Sequence, residues 1–108
     1  MNINTHEHIG VSLVDSRLEQ LSSFDGNFRN LHDHFVGIFD NNPEYPFIHS
    51  IDPYSDTLLN SVQVPILIRE LQRLVSKDSD PEAAEQVNNL IEYLNTITVH
   101  NFIRFSGD

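Results

Sequence analysis

Residues 8–15 read His8-Ile9-Gly10-Val11-Ser12-Leu13-Val14-Asp15, and their patterning decides how the rest of the chain is parsed. Ile9, Val11 and Leu13 alternate with His8, Gly10 and Ser12. That period of two sets one face of a strand against a core. A strand needs a partner, and the other β-rich stretch is Val99, Phe102, Ile103 and Phe105, just before Gly107. Antiparallel pairing of these two stretches is expected, because it ties down segments that otherwise fray. Gly10 offers no side chain to pack and points to an edge position for the first strand.

Outward from that strand the periodicity turns helical. Asp15 or Ser16 suits a helix N-cap, and Leu18, Leu21 and Phe24 follow at three-residue steps, which predicts a short helix. Gly26-Asn27 interrupts it, and Phe28, Leu31, Phe35 and Ile38/Phe39 outline a second amphipathic segment. Residues 58–64 fit a short strand. Pro65 suits the first turn of a helix running to about Ser76, with Leu67, Leu71, Leu74 and Val75 as its apolar stripe and Arg69, Glu70 and Arg73 on other faces. Asp80-Pro81-Glu82 is a helix start: a capping carboxylate, a proline at the first position and an acid at the positive end of the dipole. Val87, Leu90, Ile91, Leu94 and Ile97 carry that helix to near Thr98. The expected fold class is α+β. Three to four helices pack on a small antiparallel sheet made of short N-terminal, central and C-terminal strands, in a single domain spanning residues 1–108.

Composition narrows the function. Six Lys and Arg stand against sixteen Asp and Glu, a formal charge of −10. Such a field repels phosphate backbones and anionic lipid, so direct nucleic-acid or membrane binding is disfavoured and a basic protein partner is favoured. The absence of cysteine removes disulfides, thiol catalysis and thiolate zinc sites, and suits a reducing compartment. Residues 1–10 have neither a basic nor an apolar leader region, and no apolar run approaches the ~18–20 residues of a membrane span. A cytoplasmic protein is expected.

Residues that bear chemistry are present without a full constellation. In a strand His6 and His8 project from one face and can share a metal, whereas His32 and His34 in a helix point apart; solvated or structural histidines are the competing reading. Asp52 and Asp56 flank Pro53-Tyr54-Ser55, where they can act as acid and base, hold Mg²⁺, or simply fix a turn. No nucleophile elbow, Gly-rich phosphate loop, His-Glu-x-x-His or EF-hand pattern occurs. No enzymatic activity and no cofactor are therefore expected. Residues 40–57 hold three of the five prolines and form the longest irregular segment, so they are the first place to look for binding. Asp25, Asp33, Asp40, Glu44, Asp52 and Asp56 cluster in sequence around Tyr45, Phe47 and Tyr54, against Arg29 alone. Acids around exposed rings make a surface that steers and anchors a basic protein, and a merely solvating acidic face is the alternative.

The block Asp52-Pro53-Tyr54-Ser55-Asp56-Thr57, followed by Asn60, Gln63 and a helix containing Arg69-Glu70-Leu71, resembles a motif of small bacterial proteins of about this length. In those, an aromatic C-terminal strand ends in Gly-Asp, as Phe105-Ser106-Gly107-Asp108 does here. In size, acidity and lack of cysteine the chain is also similar to immunity proteins of contact-dependent and type VI toxin systems. That likeness is one of type. It implies a non-enzymatic protein that binds a cognate toxin, for instance a basic nuclease, and occludes its active site. The residues of the motif are expected to form a hydrogen-bonded loop frame, with Tyr54 a packed ring. Two other expectations compete: a small metal-binding enzyme or regulator using His6, His8, Asp52 and Asp56, and a homodimeric adaptor burying a face over residues 28–39.

Overall fold

The computed structural model describes residues 9–34, 44–52, 54–77 and 80–107. Strand β1, Gly10–Val14, forms where the alternation predicts it. It pairs antiparallel with β4, Phe102–Ser106, in the register Gly10 to Ser106 and Val14 to Phe102. On the far side of β4 lies β3, Asp56–Asn60, a shift of the expected central strand toward the Asp52 block. On the far side of β1 lies β2, Gln20–Ser23, so the sheet order is β2-β1-β4-β3. All pairings are antiparallel.

Two expectations fail at β1. It is an interior strand, because Gly10 occupies its first position, where no packing is required, and Val11, Ser12 and Val14 are buried. The predicted helix over Leu18, Leu21 and Phe24 is instead a hairpin. Asp15, read as an N-cap, turns its carboxylate onto the hairpin loop and accepts from the N–H groups of Arg17 at 2.8 Å and Glu19 at 2.9 Å. Leu18 adopts φ 66°, a left-handed turn conformation no helix contains, and Leu18 and Leu21 stay exposed. Three-residue spacing alone does not make a helix without a face to bury.

The helices lie together over one face of the sheet, which presents Val11, Leu59, Ile103 and Phe105 to them. Helix α1 is Phe28–His34, α2 is Pro46–Ser50, α3 is Gln63–Lys77 and α4 is Pro81–Leu94. With the four-stranded sheet this is an α+β fold. Phe28 meets Phe105 edge to face at 5.2 Å, a geometry worth ~1 kcal/mol beyond the area buried. Since Phe28 and Leu31 belong to the chain's own core, they are not available as a dimer face; residues 35–39 lie outside the described residues.

Local chemistry explains the helix starts. Asn60 and Gln63 form a reciprocal box: Asn60 Oδ1 accepts from the N–H groups of Val62 (3.0 Å) and Gln63 (2.9 Å), and Gln63 Oε1 accepts from Asn60 N–H at 2.9 Å. Asp80 caps α4 as expected, accepting from Glu82 N–H at 3.0 Å. That helix stops at Leu94, short of Thr98. Asn95, Thr96 and Ile97 donate to the carbonyls of Ile91, Tyr93 and Leu94, which satisfies the last turn and lets the chain leave toward β4. The stretch expected to be irregular contains α2 and the start of β3, with Tyr45, Ile48 and Ile51 buried. Apolar side chains at that density pull a proline-rich segment onto the core. Among the described residues no helix is long and apolar enough to cross a membrane.

Candidate functional site

The expected acidic and aromatic face is not one surface. Tyr45 is 1% exposed, and Phe47 packs half-buried against the core. The guanidinium of Arg73 and the ammonium of Lys77 sit 5.3 Å and 5.7 Å from the centre of the Tyr45 ring. Glu44 beside it pairs with Lys77 at 3.3 Å, and its carbonyl accepts from Arg73 at 2.6 Å. Tyr45 first, and Glu44 second, hold the Lys77 ammonium above its ordinary pKa. Asp33 is likewise engaged, bonded to Arg29 Nε at 2.9 Å one helical turn away. That bond is the main reason the Arg29 pKa is raised. Asp40 lies outside the described residues.

Asp52 frames its own turn. Its carboxylate accepts from Tyr54 N–H and Ser55 Oγ–H, both at 2.8 Å, while its backbone N–H donates to Thr57 Oγ1 at 3.1 Å. The Tyr54 N–H, then the Ser55 hydroxyl, lower the Asp52 pKa. Both carboxylate oxygens are thus occupied by the loop, which favours the turn reading over acid–base or Mg²⁺ chemistry. Asp56 opens β3 with its side chain exposed. Tyr54 is not packed: it is 65% exposed, with the Arg29 guanidinium 5.9 Å from its ring centre. His6 and His8 lie outside the described residues, and among the described residues no group of three His, Asp or Glu side chains is arranged to hold a metal.

What holds this segment rigid is a residue the sequence places wrongly. Glu70 is 1% exposed, not solvated on an outer face. Its carboxylate accepts from Phe47 N–H at 3.1 Å and Ile48 N–H at 2.9 Å, the orphan donors at the start of α2. Tyr45, at the N-cap of that helix, makes no side-chain cap bond, so a carboxylate from α3 caps α2 across the core. A signal existed. Glu70 falls three residues after Leu67 and four before Leu74, inside the apolar stripe.

The other predicted acid, Asp25, stands apart and leads to an open groove. About 720 Å³ opens between the β2–α1 loop, α1 and α4. Phe24 and Tyr93 line it, their rings tilted by 43° at 5.5 Å. The Tyr93 hydroxyl is fixed by Leu13 N–H at 2.9 Å and Ser22 Oγ at 2.8 Å, which locks α4 to the hairpin. Asn27 fixes the loop: its Oδ1 accepts from Ile9 and Arg29 N–H, each at 2.9 Å. Gly26 leaves room for that ring, because a Cβ there would run into Cε2 and Cζ of Phe24 and push the ring aside. Asp25 and Glu92 contribute carboxylates, and Asn30, Gln86 and Asn89 contribute carboxamides.

Charge around this groove is one-sided. Residues 78–103 carry Asp78, Asp80, Glu82, Glu85 and Glu92 and no Lys or Arg. Glu82, Glu85 and Glu92 are exposed on α4. Among the described residues no Lys or Arg lines the groove. In the sequence Glu82 fits a capping signal and Glu85 and Glu92 fit no motif, although the absence of any Lys or Arg from this stretch is visible there. Hydrogen-bond acceptors around a paired aromatic surface suit recognition of a flat or charged donor. No protein-family model matches the chain, and neither the curated proteins nor the solved structures contain a significant match to it.

Proposed function

We propose that this chain is an immunity-type inhibitor, which binds a cognate toxin domain of basic charge, a nuclease foremost, and occludes its active site by binding alone. One observation carries the reading: among the described residues Glu82, Glu85 and Glu92 on α4 and Asp25 in the adjoining groove make no ion pair with Lys or Arg, whereas Glu44 and Asp33 are paired within the chain. Such exposed carboxylates are open to a cation from another molecule, and a net charge of −10 speeds that encounter. Rigidity supports it further. With Tyr93, Asn27 and Gly26 fixing the groove walls, docking costs less ordering entropy. On this reading the protein acts in the cytoplasm, needs no cofactor and makes no direct contact with nucleic acid or membrane.

Co-expression with the toxin encoded beside it is the test. A one-to-one complex that survives purification, together with restored growth, is the expected result. Binding should weaken by about tenfold or more between low and moderate salt, as charge-steered association does. No binding at micromolar concentration would overturn the proposal.

A further inference from the structure

We infer that the groove between the β2–α1 loop and α4 seats an arginine side chain of the basic partner. This rests on the inhibitor reading above and adds to it the chemical identity of the anchor.

A guanidinium is flat, always charged, and presents five N–H donors around its edge. The groove offers the complement of each property. Phe24 and Tyr93 supply aromatic surface for a planar cation, as rings do for arginine more than for lysine. Asp25 from the loop and Glu92 from α4 supply charge, and neither makes a hydrogen bond or ion pair among the described residues. Asn30 and Asn89 add carboxamide oxygens whose side chains are likewise unengaged among the described residues. An ammonium on a flexible stem satisfies the charge but makes less use of the rings and of the spread of acceptors. Three exposed acids expected in the binding face differ in kind. Asp52 is bonded to its own turn, Asp33 to Arg29, and Glu44 to Lys77. The groove combines depth, rings and acceptors unengaged among the described residues, which separates an anchor from a steering charge.

The experiment titrates the full chain with N-acetyl-arginine amide and, separately, N-acetyl-lysine amide, following backbone and carboxamide resonances by NMR. Arginine amide should move the side-chain amides of Asn30 and Asn89 and the backbone of Tyr93, with lysine amide binding about threefold or more weaker. The double variant Asp25→Asn/Glu92→Gln should lose about tenfold of the arginine affinity. Its thermal melting should stay unchanged, since both residues are exposed, which shows that the loss is not unfolding. Equal response to the two probes, shifts centred on Asp52 and Asp56, or undiminished binding by the double variant would overturn the inference. Full toxin retention by that variant would overturn it too, while leaving the inhibitor reading in place. Arginine binding in the groove by a chain that retains no toxin would support the groove assignment and overturn the inhibitor reading.

Discussion

The segment from Glu44 to Asp56 and the face of α4 are both rich in acids and flanked by aromatic rings, yet they use them in opposite ways. In the first, Tyr45 is buried, Glu44 is paired with Lys77, and Asp52 holds its own turn. In the second, Tyr93 anchors a groove wall while Glu82, Glu85 and Glu92 face solvent. A carboxylate is therefore open to another molecule only when nothing within the chain already satisfies it. Counting charges along a sequence does not reveal that, because the satisfying group is often far away: Lys77 for Glu44, and Phe47 and Ile48 N–H for Glu70.

Substitutions can break this contrast. Tyr45→Ala should cost most, about 4 kcal/mol in urea unfolding, as expected for a large ring removed from a closed core. Tyr54→Ala, at an exposed ring, should stay within about 0.5 kcal/mol. If the two cost the same, the core position of Tyr45 is wrong. Glu70→Ala comes next, at about 3 kcal/mol, since two backbone N–H groups lose a charged acceptor in a buried site. Glu85→Ala on α4 should again stay within about 0.5 kcal/mol by the same measurement. Gly26→Ala drives the Phe24 ring off Tyr93 and should cost about 1–3 kcal/mol, with a change in near-ultraviolet circular dichroism that reports the disturbed ring pair.

Two smaller effects sharpen the comparison. The Asp52 pKa is lowered in the fold, so its contribution is complete above the ordinary aspartate pKa of about 4 and is lost as pH falls through the lower folded value. Urea melts at about pH 6 and about pH 3 should therefore differ less in Asp52→Asn than in the parent chain. Leu18→Gly relieves a left-handed backbone at an exposed position, and after the entropy cost of glycine should raise stability by about 0.5 kcal/mol.

Much of the scaffold was legible because its signals are local. Alternation over Ile9–Leu13 marks β1, Asp80-Pro81 starts α4, and the polar block from Asp52 through Gln63 does act as a frame, apart from Asp56. Misreadings arose where one pattern fits two structures. Leu18, Leu21 and Phe24 have helical spacing, but the Asp15 carboxylate folds the turn between β1 and β2 and removes the helical option. The exposure of Tyr45 is misread for a related reason. Tyr45 in a Pro- and Asp-rich stretch looks exposed until α3 supplies Glu70 to hold its helix against the core. For α4 the acids are in view, but only Glu82 fits a rule for helix ends, and Glu85 and Glu92 belong to no motif.

The strand order β2-β1-β4-β3 has a consequence for how the chain acquires its shape. β4 joins the β1–β2 hairpin to β3, and Gly10 pairs with Ser106 across nearly the whole sequence. Contacts so distant along the chain close slowly and late. As the polypeptide emerges from the ribosome, the hairpin and helices can begin to form, but the sheet is in two pieces until residues 102–106 arrive. Phe28 then has no Phe105 to meet, and the core over which α4 lies stays open. Closure of the sheet therefore waits on β4, and the hairpin and β3 stay unjoined until those residues are available.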